Sequence, residues 1–156
     1  MTMGLRVRRL LLALGFLLGA AGTAPADGDE SKAAEVRDAL AAGQPVVLAL
    51  ARELPTGEGD ETDADWAYYL NEFAAAHGRY KIVAMDAAEA RSLLAAPPTL
   101  EDYYATIFVR SPDSAVIYDG PVLETAVYKS AADFLEAPQD GQFDADIFEP
   151  FALELK

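Results

Sequence analysis

Apolar positions along the chain change period several times, and each change predicts a different element. Ala33, Val36, Ala39 and Leu40 recur at helical spacing through residues 31–42, with Asp29 or Ser31 as the N-cap and Gly43 as the stop. Pro45 then precedes Val46-Val47-Leu48-Ala49-Leu50-Ala51, an unbroken apolar run of strand length. Such a run fits a parallel strand covered on both faces, so it is predicted to be central. Beyond an acidic loop, Trp66, Tyr69, Leu70, Phe73, Ala74 and His77 form one helical stripe. Thr62-Asp63-Ala64-Asp65 is its expected start and a left-handed Gly78 its expected end. Residues 80–85 read as a second strand, and two strands joined by a helix make a right-handed parallel unit.

Asp86 followed three residues later by Glu89 predicts a capped short helix through Ala95, ended by Pro97 and Pro98, with one more turn over residues 99–104. Residues 105–110 and 115–118 are β-rich and flank Ser111-Pro112-Asp113-Ser114, whose proline suits the second position of a type I turn. They are expected to pair as an antiparallel hairpin. Asp119-Gly120-Pro121 closes it, and Ser130-Ala131-Ala132-Asp133 is the expected opening of a last helix with Phe134 and Leu135. Residues 138–156 form an acidic tail whose Phe143, Ile147, Phe148, Phe151, Leu153 and Leu155 predict docking on the domain rather than disorder.

The N-terminus changes this picture. Arg6, Arg8 and Arg9 precede a charge-free stretch that ends in Ala24-Pro25-Ala26. A basic flank, a short apolar core and small residues at the end are the marks of a secretory signal peptide, so residues 1–26 are expected to be removed after Ala26. A retained anchor is the alternative, but the stretch holds Gly15, Gly19, Gly22 and Pro25 and is marginal for spanning roughly 30 Å of hydrocarbon. The expected location is therefore periplasmic or secreted, with no stable membrane association after cleavage. One domain over residues 27–137 accounts for most of the rest. The net charge is −14, and residues 1–26 carry three arginines and no acid, so the mature chain is more acidic still. Nucleic acid and anionic lipid are repelled, which leaves basic, apolar or cationic partners. With no cysteine, the chain has neither disulfides nor thiol chemistry.

Helix, buried strand, loop, helix, strand, helix, hairpin, helix is the order of the thioredoxin fold without its short first strand. The segment YYATIFVRSPDSAVIYDGPVLETAVYKSAADFL, residues 103–135, resembles the thioredoxin stretch from the cis-proline loop through the terminal hairpin to the last helix. VVLALA and YKIVAMDAAEA are similar to its two parallel strands, the second closed by Asp86, and the likeness covers about residues 31–137. It implies an α/β fold, a thioredoxin-like three-layer α/β/α sandwich with a mixed sheet of about four strands and a terminal β-hairpin. Both redox signatures of that family are missing. Its Cys-x-x-Cys maps into residues 54–65, where there is no thiol, and its cis-proline maps onto Ala105, where a cis bond costs about 2.5–4 kcal/mol. The resemblance thus implies a redox-inactive, non-catalytic member that binds or scaffolds a peptide or protein partner and needs no cofactor. In redox relatives, the groove between the loop after the first parallel strand and the loop before the third holds an extended peptide through main-chain bonds. Here that groove corresponds to Arg52, Leu54, Pro55, Trp66, Tyr104, Ala105 and Thr106. The competing reading places Trp66, Tyr69 and one of Tyr103 and Tyr104 in the core.

Two other chemistries compete with this reading. Glu61, Asp63, Asp65 and Glu72 fall at positions 1, 3, 5 and 12 of an EF-hand-like loop, which would make the 58–65 loop a calcium site. Position 6, however, is Trp66 rather than glycine, and acids at a helix start are favoured by its dipole alone. An enzyme using carboxylate acid/base chemistry in the same cleft is the other alternative. His77, the single histidine, fits a helix-end role, and Ser92, Ser111, Ser114 and Ser130 lack a nucleophile-elbow context.

Overall fold

The computed structural model describes residues 25–137 and 146–156. The expected signal segment lies outside the described residues except for Pro25 and Ala26, as does the 138–145 part of the tail. The chain is mixed α/β, with α1 (Pro25–Ala41), β1 (Val46–Ala51), α2 (Glu61–Ala76), β2 (Lys81–Asp86), α3 (Ala87–Leu93), β3 (Tyr104–Ser111), β4 (Ser114–Asp119), α4 (Thr125–Glu136) and β5 (Glu149–Phe151). The five strands form one open sheet in the order β2-β1-β3-β4-β5. β1 is parallel to β2 and antiparallel to β3, and the remaining pairs are antiparallel.

β1 explains most of this arrangement. All six of its residues are fully buried, so both faces of the strand are covered and both edges are paired. Val47, Ala49 and Ala51 face a cluster that includes Trp66 and Phe73 of α2 and Tyr128 and Phe134 of α4. Val46, Leu48 and Leu50 face the opposite cluster, with Val36 and Leu40 of α1 and Leu93 of α3. Phe108 of β3 sits at the centre of the first cluster, its ring 6.5 Å from Phe73, 6.4 Å from Tyr128 and 5.6 Å from Phe148. The α3 capping box is present as the sequence indicates. The Asp86 carboxylate accepts from the Ala88 and Glu89 amides, and Glu89 reaches back to the Asp86 amide.

Several boundaries differ from the sequence reading. The sheet has five strands rather than four, because the tail contributes β5 against β4. A three-residue strand containing Pro150 has no alternation to reveal it, and only the pairing surface on β4 makes it a strand. Phe148 inserts against Phe108 and Tyr118, and Leu155 bridges Leu94. That bridge also stops α3 at Leu93, with Leu94 extended instead of helical to Ala95. α1 is already helical at Pro25, the first described residue, so neither Asp29 nor Ser31 is its cap. α2 is capped by Asp60, whose side chain accepts from the Asp63 amide, and it ends at His77 with φ −129° rather than on a left-handed Gly78. α4 begins at Thr125, because burial of Val127 and Tyr128 holds the earlier turn in place without any side-chain cap. The hairpin turns tightly at Pro112-Asp113, with a bulge between Val109 and Ser111. Among the described residues, no helix is long and apolar enough to cross a membrane.

Truncating Phe108 to alanine should cost about 3–5 kcal/mol of unfolding free energy. Asp86→Ala, which removes only the α3 cap, should cost about 1 kcal/mol in the same urea titration.

Candidate functional site

The site is built where the chain leaves β1. The Arg52 amide donates to the Tyr103 carbonyl (2.7 Å), and its guanidinium donates to the Leu100 carbonyl (2.6 Å) while lying 3.9 Å over the Tyr103 ring. Tyr103 is the one non-glycine among the described residues with positive φ, at 67°. This conformation is disfavoured for a bulky residue, and Arg52 holds it from both backbone and side chain. At the far end of the loop, Asp60 caps α2 and the Tyr104 hydroxyl donates to the Asp63 carboxylate. Gly59 passes so close to that carboxylate that a Cβ there would collide with it. The loop is therefore pinned at both ends.

Between these pins, Leu54 and Pro55 of the loop, Trp66, Ala67 and Leu70 of α2, and Ala84 of β2 line a cleft of about 440 Å³. Asp60 and Asp63 also lie on its wall. It lies beside the carboxyl end of a parallel strand, the usual place for a ligand in an open α/β sheet. Trp66 is 3% exposed, its ring 5.0 Å from that of Tyr104, and its indole N–H has no hydrogen-bond partner among the described residues. The Tyr104 phenol is pushed well above its ordinary value, first by burial, then by its bond to Asp63 and by the charges of Asp63 and Asp60. The cleft thus combines apolar walls, two acids and a phenol that stays protonated. Such a set has the shape and charge to accommodate an aliphatic side chain with a cation near it.

The structure brings together Leu54, Pro55 and Trp66 as lining, and Arg52 and Tyr104 as the frame. It does not bring Ala105 or Thr106 to the cleft. Both are fully buried in β3, Ala105 between Leu50 and Asp119 and Thr106 between Ala49 and Tyr118, so no main chain there is open to a peptide. The core reading is also partly realised: Trp66 and Tyr104 are buried and Tyr69 half-buried, while Tyr68 and Tyr103 are exposed. Sequence reasoning missed Asp60, Ala67 and Ala84 as lining. Small side chains on a wall leave no signal of their own, whereas Leu70 was visible in the α2 stripe.

The EF-hand-like reading fails on geometry. Glu61, Asp63, Asp65 and Glu72 lie along one continuous helix and cannot wrap an ion, and no group of three or more His, Cys, Asp or Glu among the described residues is placed to hold a metal. Of Glu58, Asp60, Glu61, Asp63 and Asp65, only Asp63 is drawn partly out of solvent, and it is occupied by Tyr104. His77 stacks 5.3 Å from Tyr80 at the end of α2. A second hollow of about 500 Å³ lies between α2 and α4 over Tyr128, whose buried hydroxyl has no hydrogen-bond partner among the described residues. No protein-family model matches the chain, and no curated protein or solved structure is significantly similar to it.

The two buried phenols give contrasting expectations. Tyr104→Phe should cost about 0.5–1.5 kcal/mol, because Asp63 loses a donor, whereas Tyr128→Phe should be neutral or stabilising because the hydroxyl it removes is unsatisfied. Burial raises the Tyr128 phenol as well. Both phenols bind their protons more tightly folded than unfolded, so the stability tied to them is complete below the ordinary phenol value of about 10 and is lost as pH climbs beyond it. Tyrosinate absorbance should show Tyr104 and Tyr128 ionising only together with unfolding, and Tyr104→Phe should reduce that late step by one tyrosine.

Proposed function

We propose that this protein is an exported, non-catalytic binding module of thioredoxin-like fold, whose cleft beside β1 takes an aliphatic side chain from a basic peptide segment of a partner. The observation that carries this reading is the preformed apolar cleft with Asp60 and Asp63 on its wall, set in a chain of net charge −14. The strand order β2-β1-β3-β4, with a helix joining β1 to β2 and the β3–β4 hairpin leading to α4, supports the fold reading. β5 is an addition from the tail. No cysteine is available for redox work, and Asp63 is held by Tyr104 rather than free for proton transfer.

The single tryptophan is a built-in reporter, since Trp66 lines the cleft. The peptide acetyl-Thr-Lys-Val-Leu-Val-Lys-Thr-amide should shift its emission, with an affinity that falls as salt is added. Leu54→Asp, which places a charge on the apolar wall, should weaken binding roughly tenfold or more, and so should replacing both lysines of the peptide by glutamate. An unchanged spectrum at millimolar peptide, or equal binding of the glutamate version, refutes the cleft assignment. Export is tested separately: intact mass of the protein recovered outside the cytoplasm should correspond to a chain beginning at Asp27.

A further inference from the structure

The two edges of the sheet differ. β5 is three residues long and carries Pro150, a residue that cannot donate and that blunts an edge. β2 is six residues long, and Ile82-Val83-Ala84-Met85 in its middle carry no charge. Its flanking charges are already committed. Lys81 pairs with Glu35 at 2.5 Å, and Asp86 caps α3. Among the described residues, no strand pairs with the outer side of β2.

The direction of the free main-chain groups follows from one bond. The Lys81 amide donates to the Pro45 carbonyl at 2.9 Å, so residues 81, 83 and 85 bond into β1. The Arg52 amide, which donates to Tyr103 on the other side of β1, is in the same phase. The N–H and C=O groups of Ile82 and Ala84 therefore point away from the sheet. Their side chains lie on the α2 face, where Ala84 forms part of the cleft wall. A row of backbone groups without a partner among the described residues thus borders an apolar pocket, the arrangement in which an added strand takes affinity from its main chain and selectivity from alternate side chains.

We infer that the partner segment binds as an extra strand on the open edge of β2, through Ile82 and Ala84, with an aliphatic side chain in the cleft and flanking Lys or Arg beside Asp60 and Asp63. This rests on the cleft reading above and assigns its mode of recognition. The acidic wall and the net charge of −14 favour a basic segment over a second copy of this chain, which would bring the same charge to the edge.

The test uses the same peptide, with backbone N-methyl groups placed on the amides of its lysines and leucine in one version and of its valines in the other. In an added strand only alternate amides face β2. One version should lose roughly tenfold or more in affinity while the other keeps it. Loss with the lysine and leucine set means an antiparallel strand, and loss with the valine set a parallel one. Amide exchange of Ile82 and Ala84 should be fast in the free protein and slow in the complex. Equal binding of both methylated versions, with the Trp66 shift intact, overturns strand addition and leaves the cleft reading standing. Slow exchange at Ile82 and Ala84 without peptide overturns it too, because the edge is then already covered. No Trp66 shift with the unmodified peptide overturns both.

Discussion

A strand without a polar side chain is the constraint on which this fold depends. β1 has to be covered on both faces and paired on both edges, and each requirement accounts for a neighbour: β2 and β3 beside it, α1 and α3 on one face, α2 and α4 on the other. Full burial of a large aliphatic side chain contributes about 1.5–3 kcal/mol, so Leu48 and Leu50 alone favour this placement strongly over any edge position. The two faces are not equivalent. One receives Val46, Leu48 and Leu50, while the other receives Val47 and two alanines. The small residues leave room for the Trp66 and Tyr104 rings, and the cleft opens beside them.

The cleft is held open by polar contacts at its ends rather than by packing in its middle. Arg52 ties the end of β1 to the turn before β3, and Tyr104 ties the start of β3 to the start of α2 through Asp63. Each contact joins segments far apart in sequence, so the loop from 53 to 59 is set by its anchors. The acids that the α2 dipole favours at its first turn then lie on the wall of the cleft. In this way a local helix preference also places negative charge beside an apolar cleft.

Legibility in the sequence followed the range of the forces involved. β1, the α2 stripe, the Asp86-Glu89 box and the β3–β4 hairpin were readable because burial period, capping and turn chemistry act within a few residues. Boundaries set by distant contacts were not readable. Ser130-Ala131-Ala132-Asp133 looks like a helix start but lies inside α4, because the docking of Val127 and Tyr128 extends the helix back to Thr125. Gly78 looks like a helix exit, yet His77 ends α2 against Tyr80. Of the groove expected from resemblance, Leu54, Pro55 and Trp66 converge, whereas Ala105 and Thr106 are sealed inside β3 by pairing on both sides.

By itself the sequence determined the mixed α/β class, the central strand, the lack of any cysteine and the strongly acidic charge of the chain. These follow from composition and local periodicity, which do not depend on how the chain closes. Tertiary structure alone decided that the tail supplies a fifth strand, that Asp60, Ala67 and Ala84 join the cleft, and that no strand among the described residues pairs with the outer edge of β2. Those features depend on which segments meet, and the register of a sheet is settled by long-range pairing that no short window of residues encodes.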